Sequence, residues 1–345
     1  MSGNKVRLGR TEIIADKNGF GALPIQRVSD AEAVKLLQKA YDHGMNFFDT
    51  ARFYTDSEHK IGLALHDVRD KIYIATKSMA LTGEKLKEEL EYSLGQLQTD
   101  YVDLYQLHNT PFCPKPGGED GLYDALLEAK AAGKIRHIGI TNHRLSVAEE
   151  AIESGLYETL QFPLNYLATE QEERLVKLCE DADVGFIAMK GMSGGILQDG
   201  RAAYAYLNQF PNVLPIWGVQ KEEELDVFLG CAEDVPSMED PAVKAVIEKD
   251  RAELMGDFCR GCGYCMPCPV GIQINNCARM VPMMSRGPVA PWVTPEKQAE
   301  MEKITQCLDC GQCIKKCPYN LNTPQLLRQN LEGYRKIVAG LEQEA

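Results

Sequence analysis

The chain has 345 residues, of which 44% are hydrophobic and 25% charged, and carries a formal net charge of −13. That length exceeds one average domain and suits a barrel of roughly 250 residues with an appendage. The acid excess argues against nucleic acid or an anionic membrane surface as the main partner, because both are recognised by clustered lysine and arginine.

The opening Met1-Ser2-Gly3-Asn4-Lys5-Val6-Arg7 lacks the apolar core of a secretory signal. No apolar stretch approaches the roughly 20 residues of a membrane span. The expected location is therefore the cytoplasm, with no membrane and no nucleic-acid partner.

Along the chain, short β-rich apolar runs alternate with amphipathic stretches of helical period. The strand Ile13–Ala15 precedes the helix Ala31–His43, and Asn46–Asp49 and Ile72–Thr76 precede Lys85–Leu97. Val102–Leu107 precedes Gly121–Ala132, Arg136–Ile140 precedes Val147–Ser154, and Leu160–Phe162 precedes Gln171–Ala182. Gly185–Met189 and Val213–Trp217 complete the strands before the helix Glu222–Leu229. Strands alternating with helices imply a parallel sheet. Eight of them in this length favour a closed (β/α)8 TIM barrel, and no GxGxxG follows the first strand to support an open dinucleotide fold. The expected fold class is thus α/β, with the barrel over residues 1–235. A linker over 236–258, with a helix around Val243–Met255, leads to a small, mainly helical domain over 259–345 that closes on the helix Pro324–Gln343.

Active sites of such barrels lie at the C-terminal ends of the strands. There the sequence places Asp49 and, five residues on, Tyr54; then Lys77 and His108. A carbonyl that accepts hydride needs a proton on its oxygen, and tyrosine, with an ordinary pKa of ~10, is a poor acid at neutral pH. A lysine ammonium nearby is expected to lower the Tyr54 pKa, with Asp49 holding Lys77 charged and His108 donating to the carbonyl oxygen.

This arrangement resembles the aldo-keto reductases, whose catalytic tetrad falls on Asp49, Tyr54, Lys77 and His108. The resemblance covers about residues 5–230. It implies that Thr141, Asn142 and Gln161 hold the nicotinamide amide of NAD(P)H. It also implies that Gly21, in Gly19-Phe20-Gly21, and Met189, Lys190 and Gly191, at the start of Met189–Gly195, wrap the cofactor. Two departures stand out. Met189 occupies the place of the family's aromatic stacking residue. After the last strand the chain reads Gly218-Val219-Gln220-Lys221-Glu222-Glu223-Glu224, so Gly218, Gln220 and Glu224 fall where the family contacts the adenosine ribose. Glu224 stands near the usual arginine, where a carboxylate repels a 2′-phosphate and accepts from a ribose hydroxyl; the balance leans to NADH.

Twelve cysteines are many for a cytosolic chain, and nine of them crowd between Cys259 and Cys317. Cytosolic thiols are kept reduced, which favours metal ligation over disulfides. The runs are Cys259-x2-Cys262-x2-Cys265-x2-Cys268-Pro269 and Cys307-x2-Cys310-x2-Cys313-x3-Cys317-Pro318. Zinc usually takes two separated pairs rather than four cysteines in tight succession. The runs resemble those of two-cluster ferredoxins, where the cysteine before the proline ligates the other cluster. That resemblance assigns Cys259, Cys262, Cys265 and Cys317 to one 4Fe–4S cluster and Cys307, Cys310, Cys313 and Cys268 to a second. The first run is one residue short before its last cysteine, which leaves Cys277 as an alternative to Cys268. Aldo-keto reductases with such an extension form a subfamily, which Ala51-Arg52-Phe53-Tyr54-Thr55-Asp56-Ser57-Glu58 resembles.

Two functions follow. One is an oxidoreductase that moves hydride between NAD(P)H and a small carbonyl or alcohol, with accessory clusters. The other is an electron-transfer protein that relays electrons to a redox protein partner from a nucleotide-binding scaffold.

Overall fold

A computed structural model describes residues 5–254, 258–286 and 289–344. The chain divides into two units, Met1–Gly191 with Asp199–Ile247, and Met192–Gln198 with Glu248–Ala345.

The first unit begins with an antiparallel hairpin of β1 (Lys5–Arg7) and β2 (Ile14–Asp16), in register Val6 to Ala15. The barrel's first strand is β3 (Gly19–Gly21), not the expected Ile13–Ala15. The apolar alternation around Ile13 is real, but it serves the hairpin. Val6, Leu8, Ile13 and Ala15 pack against Phe47, Ala75, Leu104, Ile187, Leu214 and Ile216 of the barrel. Backbone bonds from Arg10 to Asp183 O, and side-chain bonds to Gly155 O and Tyr157 O, fix the hairpin across the N-terminal end of the strands. Fully buried Leu8 and Ile13 contribute on the order of 1.5–3 kcal/mol each.

The remaining elements alternate as α1 (Asp30–Asp42), β4 (Phe47–Asp49), α2 (Ser57–Leu65), β5 (Tyr73–Ser78), α3 (Gly83–Leu97), β6 (Val102–His108) and α4 (Leu122–Ala131). They continue with β7 (Ile135–Thr141), α5 (Leu145–Glu153), β8 (Thr159–Pro163), α6 (Glu170–Asp181), β9 (Gly185–Met189), α7 (Gly200–Asn208), β10 (Val213–Gly218) and α8 (Glu222–Glu233). Strands β3 to β10 pair in sequence order, all parallel, and β10 closes on β3. Sequence signals set the helix ends: Ser29 with Glu32 and Thr169 with Glu172 form capping boxes that satisfy the first free N–H groups of α1 and α6.

Two helices, α2 and α7, lie outside the helices expected from the sequence. The buried face of α2 carries Ser57, Glu58 and Lys60, so its period is not apolar. Their polar atoms are satisfied in place: Thr76 donates to Glu58 at 2.5 Å, and Lys60 donates to Ile25 O, Val28 O and Asp56. Helix α7 is buried from Ala202 to Leu207.

Helix α9 (Pro241–Leu254) crosses from the first unit into the second. The second unit continues with α10 (Ile274–Cys277), α11 (Met280–Arg286), α12 (Pro295–Glu302), α13 (Gln312–Lys316) and α14 (Thr323–Glu344), with no β-strand among its described residues. Its core gathers Ile272, Ile274, Met280, Met284, Met301, Ile304, Leu327, Leu331 and Tyr334. Tyr334 Oη donates to Trp292 O at 2.9 Å, and Arg286 pairs with Asp250 at 2.7 Å. No helix among the described residues is long and apolar enough to cross a membrane.

Candidate active site and cysteine-lined sites

Parallel pairing brings the strand ends to one rim: Asp49 stands beside Ala75, Lys77 beside Gln106, and His108 beside Thr141. Lys77 Nζ donates to Asp49 Oδ1 and to Thr50 O, both at 2.6 Å, with Lys77 and Asp49 almost fully buried. Burial pushes Asp49 up and Lys77 down from their ordinary values, and each resists that shift in the other. Tyr54 closes the group: its ring centroid lies 5.4 Å from Lys77 Nζ and 5.9 Å from the His108 ring, edge-on at 85°.

Tyr54 differs from expectation. Its hydroxyl is pushed up, first by burial and then by the charge of Asp49, although part of its surface stays exposed. The ammonium of Lys77 is spent on Asp49 and Thr50 instead of on the phenol. His108 is pushed down to about 3 by burial and by the charge of Lys77, so its imidazole is neutral at neutral pH. His108 Nδ1 has no hydrogen-bond partner among the described residues.

Of the expected nicotinamide residues, Asn142 and Gln161 are held by the protein. Asn142 Oδ1 accepts from the N–H groups of His143 and Arg144, and Nδ2 donates to Thr110 O at 2.8 Å. Gln161 Nε2 faces Asp49 Oδ1 at 3.4 Å while its Oε1 accepts from Gln106 at 2.8 Å. Thr141 Oγ1 lies 4.0 Å from Met189 Sδ. Lys190 O accepts from Asn165 at 3.0 Å. Gly191 is a close approach, since a Cβ there would lie 2.5 Å from Trp217 Cζ3. Gly21 lies against the Trp217 backbone, and Gly218 is exposed at the end of β10. Glu224 turns back on its own helix: Oε2 accepts the N–H of Gln220 at 2.9 Å and of Lys221 at 3.2 Å. That oxygen caps α8 rather than facing outward.

The cysteines of the second unit line two spaces. Cys259, Cys262, Cys265 and Cys317 line one of them. Cys265, Cys268, Cys307, Cys310 and Cys313 line the other. Among the described residues, no three Cys, His, Asp or Glu converge tightly enough to hold a single metal ion. Four or more thiols around each space supply the donor set that iron–sulfur groups take. Cys277 lines neither space; it is fully buried and its Sγ donates to Glu300 O at 3.7 Å.

The sequence profile of the aldo/keto reductase family matches residues 17–212, more than half of the chain. The chain belongs to the aldo/keto reductase family. A second profile, for a 4Fe-4S dicluster domain, matches residues 258–322 of the chain. The aldo-keto reductase YhdN of Bacillus subtilis is 29% identical over 207 residues, which span 54% of this chain and 61% of that protein. The chain thus matches only about three fifths of that relative's length. Two solved structures share the fold at 22% identity. The aldo-keto reductase AKR11C1 of Bacillus halodurans has a TM-score of 0.63, covering 72% of this chain and 96% of its own. An aldo-keto reductase of Klebsiella pneumoniae, in complex with NADPH, has a TM-score of 0.62, covering 74% and 97%.

Two residues of the candidate site lie outside the set expected from the sequence. Gln106 donates to Gln161, and faces Asp49 Oδ2 at 3.5 Å, so it braces the carboxylate that holds Lys77. Its signal was available, as a glutamine inside the apolar run of β6. Trp217 stacks on Phe228 at 4.2 Å and on Tyr204 at 5.8 Å, and its buried Nε1 has no partner among the described residues.

Proposed function

We propose that the protein reduces a small carbonyl compound, or oxidises the corresponding alcohol, with NAD(P)H and Tyr54 as the proton donor. The observation that carries this reading is the sealed Lys77–Asp49 pair with the Tyr54 and His108 rings set against it. NAD(P)H, when bound, supplies the hydride that reaches the carbonyl carbon. Tyr54 hands its proton to the carbonyl oxygen, and neutral His108 donates a hydrogen bond to the same oxygen. Burial and the charge of Asp49 hold the Tyr54 phenol protonated, so it meets the carbonyl as a donor. An alkoxide has basicity near that of hydroxide, whose conjugate acid has a pKa of ~15.7, so the phenol gives up its proton without prior activation. It also remains protonated at every physiological pH. Lys77 and Asp49 form a neutral pair overall, which keeps a free negative charge from facing the developing oxyanion.

Thr141, Asn142 and Gln161 are assigned to the nicotinamide amide. The protein bonds of Asn142 and Gln161 support a preset orientation rather than a free donor. Gly21, Met189, Lys190, Gly191, Gly218, Gln220 and Glu224 are assigned to the rest of the nucleotide, with NADH the favoured form. Two 4Fe–4S clusters are assigned, one to Cys259, Cys262, Cys265 and Cys317, the other to Cys268, Cys307, Cys310 and Cys313. We place the protein in the cytoplasm. The decisive variant is Tyr54→Phe. Turnover should fall by roughly 10²–10⁴-fold with nucleotide affinity retained, and unchanged turnover would sink the assignment.

A second reading, electron relay to a redox partner protein, is favoured by one observation. Cys265 and Ile274 line both cysteine spaces, so the two groups share a wall. Anaerobic titration with NADH and NADPH separates the readings. Clusters that stay oxidised while nucleotide binds favour the first, and clusters that become reduced favour the second.

A further inference from the structure

The segment Met192–Gln198 follows β9 in the chain but belongs with the second unit. One side chain of that unit holds it. Arg279, just before α11, donates through Nη2 to Gly194 O at 2.9 Å and faces Ser193 O at 3.4 Å. The same guanidinium lies flat against the first cysteine run. A Cβ at Gly261 would collide with Nη1, so the positive φ of 64° at Gly261 is matched by a need for no side chain at all. Arg279 Nε is buried and has no hydrogen-bond partner among the described residues. The fork of one arginine is therefore divided between two backbone carbonyls on one side and the backbone at Gly261, between Cys259 and Cys262, on the other. A second cation, Arg260, lines the space held by Cys259, Cys262, Cys265 and Cys317 and sits over the Tyr319 ring at 4.4 Å.

We propose that Arg279 is a positioning residue that links the reduction state of the cluster held by Cys259, Cys262, Cys265 and Cys317 to the hold on the Met192–Gln198 segment. This rests on the assignment of a cluster to those four cysteines. The physics is a competition for one charge. A low-potential one-electron donor adds one electron to the cluster, with no bond made or broken and no proton required. The added negative charge draws the guanidinium toward the cysteines and weakens its bonds to Ser193 O and Gly194 O. By linkage, whatever fixes the segment on Arg279 makes the same reduction harder.

The test uses the intact, cluster-loaded protein under anaerobic conditions, with dithionite as the electron donor. In the wild type, amide exchange over residues 193–198 should rise severalfold on reduction. In Arg279→Gln, EPR-monitored titration should show one of the two clusters reduced at a potential lower by about tenfold in the equilibrium, 59 mV for a one-electron couple, and the other unmoved. Arg279→Lys keeps the charge and loses the fork, so its potentials should stay near wild type while exchange over 193–198 rises in both states. Unshifted potentials in Arg279→Gln with both clusters intact would overturn the proposal, as would loop exchange in the wild type that ignores reduction. Should Arg279→Gln fail to hold its clusters, the wild-type exchange and Arg279→Lys decide alone. Iron and sulfide analysis of the same samples separates the two layers. Absent clusters overturn the ligand assignment with everything built on it, whereas intact clusters with unshifted potentials overturn only the role of Arg279.

Discussion

Lys77 Nζ and Asp49 Oδ1 meet at 2.6 Å with only 1% and 3% of their side chains exposed. Two opposite charges sealed this well cannot be treated as a surface ion pair. Neither member has water to fall back on, so the loss of one strands the other.

Lys77→Met should accordingly destabilise the barrel by about 3–5 kcal/mol and abolish turnover. The double variant Lys77→Met with Asp49→Leu should recover most of that stability while remaining inactive. Thermal melting of both variants, beside turnover, checks this. A double variant no more stable than the single one would mean that the pair is not what the barrel loses.

The pH behaviour follows from His108 and Tyr54. His108 binds its proton only near pH 3 when folded, against an ordinary value of ~6.5 in the unfolded chain. Between those values the unfolded state holds more protons, so stability rises with pH through the window and the gain is complete above it. Because His108 is partly exposed, the slope should lie well under the limiting ~1.4 kcal/mol per pH unit. His108→Gln should remove that slope. In kcat/KM, no acid limb should appear near pH 6.5. The basic limb should lie above tyrosine's usual ~10, since Tyr54 is pushed up. A histidine-like limb at neutral pH would contradict both assignments.

Glu224→Gln separates two roles of one side chain. The amide oxygen can still accept from Gln220 and Lys221, so the α8 cap survives while the negative charge goes. NADPH should bind several times more tightly and NADH equally well, measured by fluorescence titration. Equal, unchanged affinities would leave Glu224 as a cap alone.

Iron content tests the cysteine assignment. Cys277→Ser should keep the full complement, because Cys277 lines neither space and its thiol is spent on Glu300 O. Cys268→Ser should lose or degrade one cluster and leave the EPR signal of the other. The reverse pattern would return Cys277 to the ligand set.

The barrel was legible where strands are buried on both faces. The runs Ile72–Thr76 and Val102–Leu107 are strands as expected, and their ends located Lys77 and His108 at the rim. The reading failed where burial is not apolar. Helix α2 hides Glu58 and Lys60 on its inner face, a pattern that no hydrophobic period reveals, and Gln106 hides inside a strand that reads as plain core. Ile13–Ala15 misled for the opposite reason: a hairpin strand that plugs a barrel and a strand that builds one share the same alternation. The electrostatics of Tyr54 lay beyond sequence altogether, since they turn on where one ammonium spends its hydrogen bonds.

The placement of Met192–Gln198 with the second unit has a consequence for how the chain is made. The ribosome delivers this segment among barrel elements, yet Arg279 is synthesised some 85 residues after Gly194. At about 5–20 residues per second, the segment waits roughly 4–17 s for its partner. Removing the cysteine-rich portion to obtain a simpler enzyme would make that wait permanent. Such a truncation would therefore be expected to lose more than its iron.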